Sequence, residues 1–429
     1  MNDLKVLFVC QWYKPEPVTQ PGWIVAALQR RGVRVEVLTG VPNYPSGQVL
    51  DGYRPWTLRS EMVEGVRVHR TPLYPSHDTR ALRRFANYAS WALSSTLFGQ
   101  GPLSRSDVAL VYSSPATAAT AAMFSSILGR TPYVLIVQDV WPDTIFSSGF
   151  LGERISRILH PLVNALVQWT YRWAAHVVVT SPGMRELLTS RGVPAEKIDL
   201  VYNWVDEEIP VAHFAIPGLR ARLAVRADDF LLMYAGNHGA VQGLDVVVRA
   251  VGQLATDGGP HLVLIGDGVE KDALQRLAAE VGRGHVHFVE PQPKELIQAL
   301  TEESDAQVVS LADKPLFQIT TPSKLQSVLA AGKPVLVHAS GDAAEIVLQA
   351  GAGLTAAAGD VEGLSAAIRQ MAVAGPQNLL RWGQNGRAYY EEQMAESVGA
   401  RRVIDLLTRA ANSRTTRLPR RKESRREHG

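Results

Sequence analysis

The chain alternates short, apolar, β-branched runs with longer stretches of helical periodicity, and it does so in two successive series. Strand candidates in the first half are 5–10, 34–39, 66–70, 108–112, 133–138, 177–180 and 200–202. In the second half they are 230–235, 261–265, 285–289, 306–310 and 334–338. Runs such as Val134-Leu-Ile-Val137 lack polar alternation, as expected of parallel strands buried on both faces. Helical stretches of ten or more residues between such strands imply βαβ units, so the expected class is α/β with two doubly wound parallel sheets. The poorly periodic stretch 206–217, with Pro210 and Pro217, separates the series. The expected layout is a Rossmann-like domain over 1–206 and a second over 217–385. A helical segment at 386–411 is placed to pack back on the first domain, and 412–429 is expected to be a disordered tail.

Composition supports packed cores: of 429 residues, 46% are hydrophobic and 20% charged, which excludes a disordered or fibrous chain. The single cysteine, Cys10, excludes an internal disulfide framework or thiolate zinc cage and fits a reducing cytosol. The formal charge of +3 conceals an asymmetry. Residues 412–429 carry net +5 and the remainder net −2, so there is no basic groove for nucleic acid. That tail reads either as a solvated extension or as a weak attractor for anionic lipid. The start, MNDLKVLFVC, has no basic segment before its apolar run and is not read as a signal peptide. Val108–Gly129 has the length of a membrane span, but Tyr112-Ser-Ser-Pro115 interrupts it, so strand, turn and buried helix are expected. Arg80–Gly99 combines Arg80, Arg83 and Arg84 with Phe85, Trp91, Leu93 and Phe98. It reads either as an interfacial helix on an anionic membrane or as an amphipathic helix packed on its own domain.

Ligands of doubly wound sheets sit outside the carboxyl ends of the strands, so the loops there carry the chemistry. Gly236-Asn-His-Gly-Ala-Val-Gln-Gly243 allows close backbone approach to an anion at the following helix start, or is simply a tight turn. Its spacing matches neither a P-loop nor the dinucleotide fingerprint. In Gly266-Asp267-Gly268, Asp267 either contacts a nucleoside or caps the next helix. Thr320-Thr-Pro-Ser-Lys324 has Thr321 as expected N-cap and Pro322 at the first helical position. Its hydroxyls, helix start and Lys324 cation suit a diphosphate, or form a capped helix with a solvated lysine. In the first half, Trp12 and Tyr13 form either a sugar-binding wall or plugs onto the core, and Asp139 and Asp143 follow the fifth strand. His285 and His287, expected on opposite faces of a strand, are not read as a metal pair. There is no D-x-D clamp.

Six segments in order carry a resemblance. They are Gln11-Trp-Tyr-Lys-Pro-Glu16, Pro42-Asn-Tyr-Pro45, Gln138-Asp-Val-Trp-Pro142 and Asn203-Trp-Val-Asp206, then Tyr234-Ala-Gly-Asn237 with Gln242-Gly243, and Pro322-Ser-Lys324 with Ala331-Gly-Lys-Pro334. Together they resemble the family 4 retaining glycosyltransferases, in the exopolysaccharide, O-antigen and colanic-acid branch. The resemblance covers about residues 4–410. It implies a GT-B fold, a UDP- or GDP-sugar donor on the second domain, a saccharide or lipid-linked acceptor on the first, and no metal or other cofactor. It further implies a cytoplasmic enzyme, peripheral at most on the inner membrane face.

By resemblance, Lys324, Asp139 and Gln138 are the catalytic candidates. Donor contacts are expected from Gly22, Gly236, Asn237, Gln242, Gly266, Asp267, Thr320, Thr321, Pro322, Ser323 and Ser327, and acceptor contacts from Trp12, Tyr13, Asn43 and Tyr44. The chain departs from the family where Asn237 and Gln242 replace an arginine and a lysine, and where Ile319 and Ser327 replace two glutamates. That leaves Lys324 and the helix start at Pro322 as the expected stabilisers of the departing diphosphate. The missing glutamates also leave open a relative that binds nucleotide sugar or a partner transferase without catalysing transfer.

Overall fold

The computed structural model describes residues 4–76, 81–143, 153–205, 207, 218–256 and 258–417. The described residues divide into two compact units. The first takes those within 1–180, 187–201 and from Ala400 onward; the second takes 181–186 and those within 202–399. The expected linker at 206–217 lies outside the described residues apart from Glu207.

The first unit is built on β1 (Lys5–Val9), β2 (Arg34–Gly40), β3 (Arg59–Val63), β4 (Val66–Thr71), β5 (Val108–Ser113), β6 (Tyr133–Val137), β7 (His176–Val179) and β8 (Ile198–Leu200). Their order is β3-β4-β2-β1-β5-β6-β7-β8, parallel throughout except for the antiparallel β3–β4 pair at one edge. The second unit contains β9 (Leu231–Ala235), β10 (His261–Ile265), β11 (Val286–Val289), β12 (Ala306–Ser310), β13 (Val335–His338) and β14 (Gly353–Ala356). Its order is β11-β10-β9-β12-β13-β14, all parallel. Strand order reverses between β1 and β5 in the first sheet and between β9 and β12 in the second. Ligand sites of such sheets lie at those switch points.

The alternation of β9 shows how the second sheet is buried on both sides. Leu232 and Tyr234 enter a core with Val247, Val248 and Val251 of helix Leu244–Gln253, while Leu231 and Met233 enter another with Leu296 and Leu300 of helix Lys294–Glu303. At the C-terminus, helix Glu396–Arg417 buries Ala400, Val403, Leu407 and Ala410 at helical spacing, and Arg402 donates to the Leu200 carbonyl at 3.3 Å. Residues 412–417 are therefore helical and not disordered as expected. The rest of that tail lies outside the described residues.

One further expectation is corrected. His285 precedes β11, and residues two apart share a face. Both imidazoles accordingly stack on His261, with ring centroids 4.3 Å (His285) and 5.2 Å (His287) away. Burial and its two neighbours push His287 down to about 4, so that imidazole is neutral at neutral pH. No cluster of three or more metal-ligating side chains exists among the described residues. Of the two readings of the 80–99 stretch, Trp91 follows the packed one and is fully buried in helix Ala81–Phe98, whereas Leu82, Leu93, Leu97 and Phe98 are exposed. Arg80 lies outside the described residues. No described helix is long and apolar enough to cross a membrane.

Candidate functional site

In the second unit, Tyr234 and Ala235 end β9 at the switch point, and the chain turns at Gly236 with φ 149°. Gly266, at the end of β10, lies so close that a Cβ on it would stand 2.0 Å from the Gly236 carbonyl oxygen; its φ is 143°. The glycine at 266 is therefore a condition of the two loops meeting. The His238 N–H donates to the Asp267 carbonyl at 2.8 Å, and the Glu270 N–H donates to the His238 carbonyl at 2.9 Å, fastening one loop to the other.

Lys324 reaches this junction from helix Ser323–Ala330. Its ammonium donates to the Ala235 carbonyl and lies 3.5 Å from the centroid of the Tyr234 ring. A Cβ on Gly236 would come within 2.5 Å of Nζ, so the glycine admits the cation. Burial lowers the Lys324 pKa from its ordinary value to about 7, and no described carboxylate compensates the charge. A partly desolvated cation beside two glycine turns and a helix start is organised for an anion. Two further groups are buried without hydrogen-bond partners: the Thr321 hydroxyl and both ring nitrogens of His238.

The helix caps differ from expectation. Pro322 occupies the N-cap position, and helix Ser323–Ala330 begins one residue later than expected. Thr321 makes no cap bond, and its hydroxyl faces neither solvent nor partner. Asp267 does not cap helix Lys271–Val281, whose N-cap is Glu270. Among the described residues its carboxylate accepts from the adjacent Gly268 N–H alone, at 2.8 Å, and lies 3.9 Å from Lys271. Thr320 donates to the Leu316 carbonyl at 2.8 Å, and Ser327 donates back to the Ser323 carbonyl at 3.1 Å; Ser323 and Ser327 are exposed. Asn237 is exposed at the loop tip, and Gln242 Oε1 accepts from the Gly239 N–H at 3.1 Å.

Behind the glycine loop runs a chain of hydrogen bonds that the sequence reading missed. The Gly359 N–H donates to His338 Nε2 at 2.8 Å, so the proton of this buried, neutral imidazole sits on Nδ1. Nδ1 then donates to Ser310 Oγ at 2.8 Å, and Ser310 donates to the Gln242 carbonyl at 2.5 Å. Ser310 and His338 end β12 and β13, so their place at strand carboxyl ends is the signal that points to them. Ser310→Ala leaves the Gln242 carbonyl and His338 Nδ1 unpaired. Urea denaturation of this variant is expected to show a loss of about 1–3 kcal/mol.

The first unit carries its own cluster at the carboxyl ends of β1, β2 and β6. Glu16 is buried and accepts three backbone N–H groups: those of Asn43 and Tyr44 on one oxygen, at 2.9 and 2.8 Å, and that of Tyr13 on the other, at 3.1 Å. Desolvation nevertheless raises its pKa to about 7. The result fixes two loops against each other. The Trp12 ring lies tilted 5.2 Å from Tyr44 and edge-on 6.1 Å from Tyr88, and Tyr88 lies 5.8 Å from Trp141, forming an aromatic row. Tyr13 and Asn43 are buried beneath it, and Trp12 and Tyr44 remain partly exposed. Asp139 follows β6, accepts from Ser114 Oγ at 2.7 Å, and has its pKa raised by burial, with Gln138 beside it in sequence. Asp143 is held by Arg191 at 2.6 Å. Gly22 is buried in helix Thr19–Arg30, where a Cβ would meet the Lys14 side chain at 3.0 Å.

The glycosyl transferase 4-like domain matches residues 17–204, and glycosyl transferases group 1 matches 216–389. A relative from Escherichia coli (strain K12), named as the colanic acid biosynthesis glycosyl transferase WcaI, is 27% identical over 347 residues, covering 78% of this chain and 83% of that protein. The lipopolysaccharide core biosynthesis glycosyltransferase LpsE of Rhizobium meliloti is 29% identical over 198 residues, 46% of this chain and 53% of that one. Among solved structures, sucrose-phosphate synthase from Thermosynechococcus elongatus superposes with a TM-score of 0.69 at 16% identity, covering 96% and 100% of the two chains. Anabaena HepE in complex with UDP gives 0.65 at 19% identity, covering 95% and 100%.

Proposed function

Since the chain belongs to the glycosyltransferases that join a 4-like domain to a group 1 domain in the GT-B fold, we propose that it moves a sugar from a UDP- or GDP-sugar onto a saccharide acceptor in surface-polysaccharide assembly. The observation that carries this reading is the Lys324 ammonium, held at the Ala235–Gly236 turn without a carboxylate partner. In the proposed step the bond between the sugar C1 and the donor diphosphate oxygen breaks, and the acceptor hydroxyl oxygen bonds to C1 on the same face. The hydroxyl proton passes to the leaving diphosphate. Lys324 and the N–H groups of the glycine loop and the Ser323 helix start stabilise the growing negative charge, so no metal is required. Thr321 and His238 supply unpaired donors for the same ligand.

The acceptor side is assigned to Trp12 and Tyr44, whose partly exposed rings suit the apolar face of a pyranose, with Asp139 and Gln138 addressing the reacting hydroxyl. The lipid-linked nature of the acceptor and the cytoplasmic location belong to the same proposal. A donor panel tests it: UDP- and GDP-sugars are incubated with lipid-linked saccharides in EDTA, and products are read by mass spectrometry. Transfer in EDTA is expected, and transfer only after metal addition overturns the metal-free step. A second reading, a donor-binding protein without transfer, is favoured by one feature: Ser327, at a family glutamate position, spends its hydroxyl on the Ser323 carbonyl. Donor binding with neither transfer nor hydrolysis across the panel decides for it.

A further inference from the structure

Beneath the aromatic row of the first unit lies a set of buried amides that no step of the proposed reaction uses. Gln11 follows β1, Asn43 follows β2, and Asn87 sits in helix Ala81–Phe98; all three are at most 1% exposed. Gln11 Nε2 donates to Asn87 Oδ1 at 2.6 Å. Asn87 Nδ2 donates to Asn43 Oδ1 at 3.2 Å and to the Tyr74 carbonyl at 2.7 Å. Asn43 Nδ2 donates to the Val41 carbonyl at 2.9 Å. Asn87 thus ties two strand-end loops to a helix distant from both in sequence. Gln11 Oε1 is the one amide atom of the set without a partner among the described residues.

Each amide is the chain neighbour of a ring. Gln11 precedes Trp12, Asn43 precedes Tyr44, and Asn87 precedes Tyr88. In each pair the amide is buried and the ring is partly exposed. The three elements joined by amides below therefore meet again above as rings, with Trp12 5.2 Å from Tyr44 and 6.1 Å from Tyr88. Burial raises the pKa of the Tyr88 phenol, and Arg84, Asp139 and Tyr44 act on it through charge. That end of the row is accordingly within electrostatic reach of the carboxylate assigned to the reacting hydroxyl. Apolar side chains could fill the same space, but their contacts tolerate sliding. A hydrogen-bonded amide is directional, and a buried one is costly when its bonds are not made. The network fixes the register of three separate elements where the rings come together.

We propose that Gln11, Asn43 and Asn87 are positioning residues, which hold Trp12, Tyr44 and Tyr88 as one platform for a pyranose of the acceptor. Tyr88 is then a third contact of that sugar. This rests on the assignment of Trp12 and Tyr44 to the acceptor.

The test follows ring position and sugar binding separately in the full chain. The protein is labelled with fluorotryptophan, and the Trp12 fluorine resonance is identified by its loss in Trp12→Leu. Binding of methyl hexopyranosides is followed by saturation-transfer NMR. Asn87→Leu is expected to shift or broaden the Trp12 resonance and to weaken glycoside binding about tenfold, the scale of one aromatic contact. UDP titration of the same variant is expected to match the wild type. Gln11→Met removes a single hydrogen bond of the network. It is expected to act in the same direction, and it takes the place of Asn87→Leu if urea denaturation shows that variant unfolded. An unmoved Trp12 resonance in a folded variant, or a moved one with unchanged glycoside binding, overturns the positioning role. No glycoside binding by the wild type, or binding unchanged in Trp12→Leu, overturns instead the assignment of the row to the acceptor.

Discussion

Lys324→Ala is expected to slow sugar transfer at saturating donor on the order of 10²-fold or more, the scale of losing one preorganised stabiliser of a departing anion. Unlike Lys271, which is paired with Glu290 at 2.8 Å, the Lys324 ammonium has no carboxylate partner among the described residues, and the loop positions where the resemblance expects an arginine and a lysine hold the neutral Asn237 and Gln242. The same residue sets a pH signature. Its pKa in the free protein is about 7, and only the protonated form attracts a diphosphate. UDP affinity should therefore fall by up to about tenfold per pH unit above 7, with proton uptake on binding visible by calorimetry in two buffers. Lys324→Met should abolish both effects.

The sign for stability runs the other way. Between about 7 and the ordinary value of 10.5, the unfolded chain keeps this proton and the folded chain releases it. Stability of the free protein therefore rises with pH across that window, because burying the charge is costly below it. Lys324→Met removes the rise and should lift the melting temperature at neutral pH while activity is lost. A Lys324→Ala enzyme with near-normal turnover at saturating donor would remove Lys324 from the mechanism.

Gly266→Ala is the second large effect. Its Cβ would stand 2.0 Å from the Gly236 carbonyl oxygen, at a backbone angle that side chains rarely adopt, so loop and strand end must separate. The expected cost is about 2–4 kcal/mol of stability by urea denaturation. UDP binding should be lost even where the variant is folded, because the displaced Gly236 turn carries the Ala235 carbonyl that seats Lys324. Gly284→Ala is a control. It too has positive φ, 84°, but a Cβ there meets nothing within 4 Å, so it should show backbone strain alone. Equal losses from both substitutions would mean that the close approach of the two loops is unimportant.

The two strands that the pattern reading passed over show where sequence stops being informative. β3, Arg-Ser-Glu-Met-Val, is an exposed antiparallel edge, held by ion pairs of Glu61 and not by apolar burial, so it has no continuous hydrophobic run to reveal it. β14, Gly-Leu-Thr-Ala, is four residues long and begins with a glycine forced by contact with the β13 start. The fully buried central strands were legible because burial on both faces leaves no alternative composition. The polar chemistry was legible only as loops. Apart from the Tyr13 N–H on Glu16, the groups Glu16, Ser310, His238 and His338 gain their roles from partners 21 to 68 residues away in the chain, or from having none on the ring, and no local spacing announces either condition.

By itself the sequence determined two series of βαβ units, the switch-point loops, the glycines at 236 and 266, and a cation at 324, because period, length and backbone freedom are local properties. Only the tertiary structure decided that Lys324 is partly dehydrated and without a carboxylate partner among the described residues, and that Tyr13, Asn43 and Trp91 are buried while Trp12 and Tyr44 are partly exposed. Dehydration, pairing and exposure depend on which distant segments pack around a side chain, and that is set by the fold as a whole.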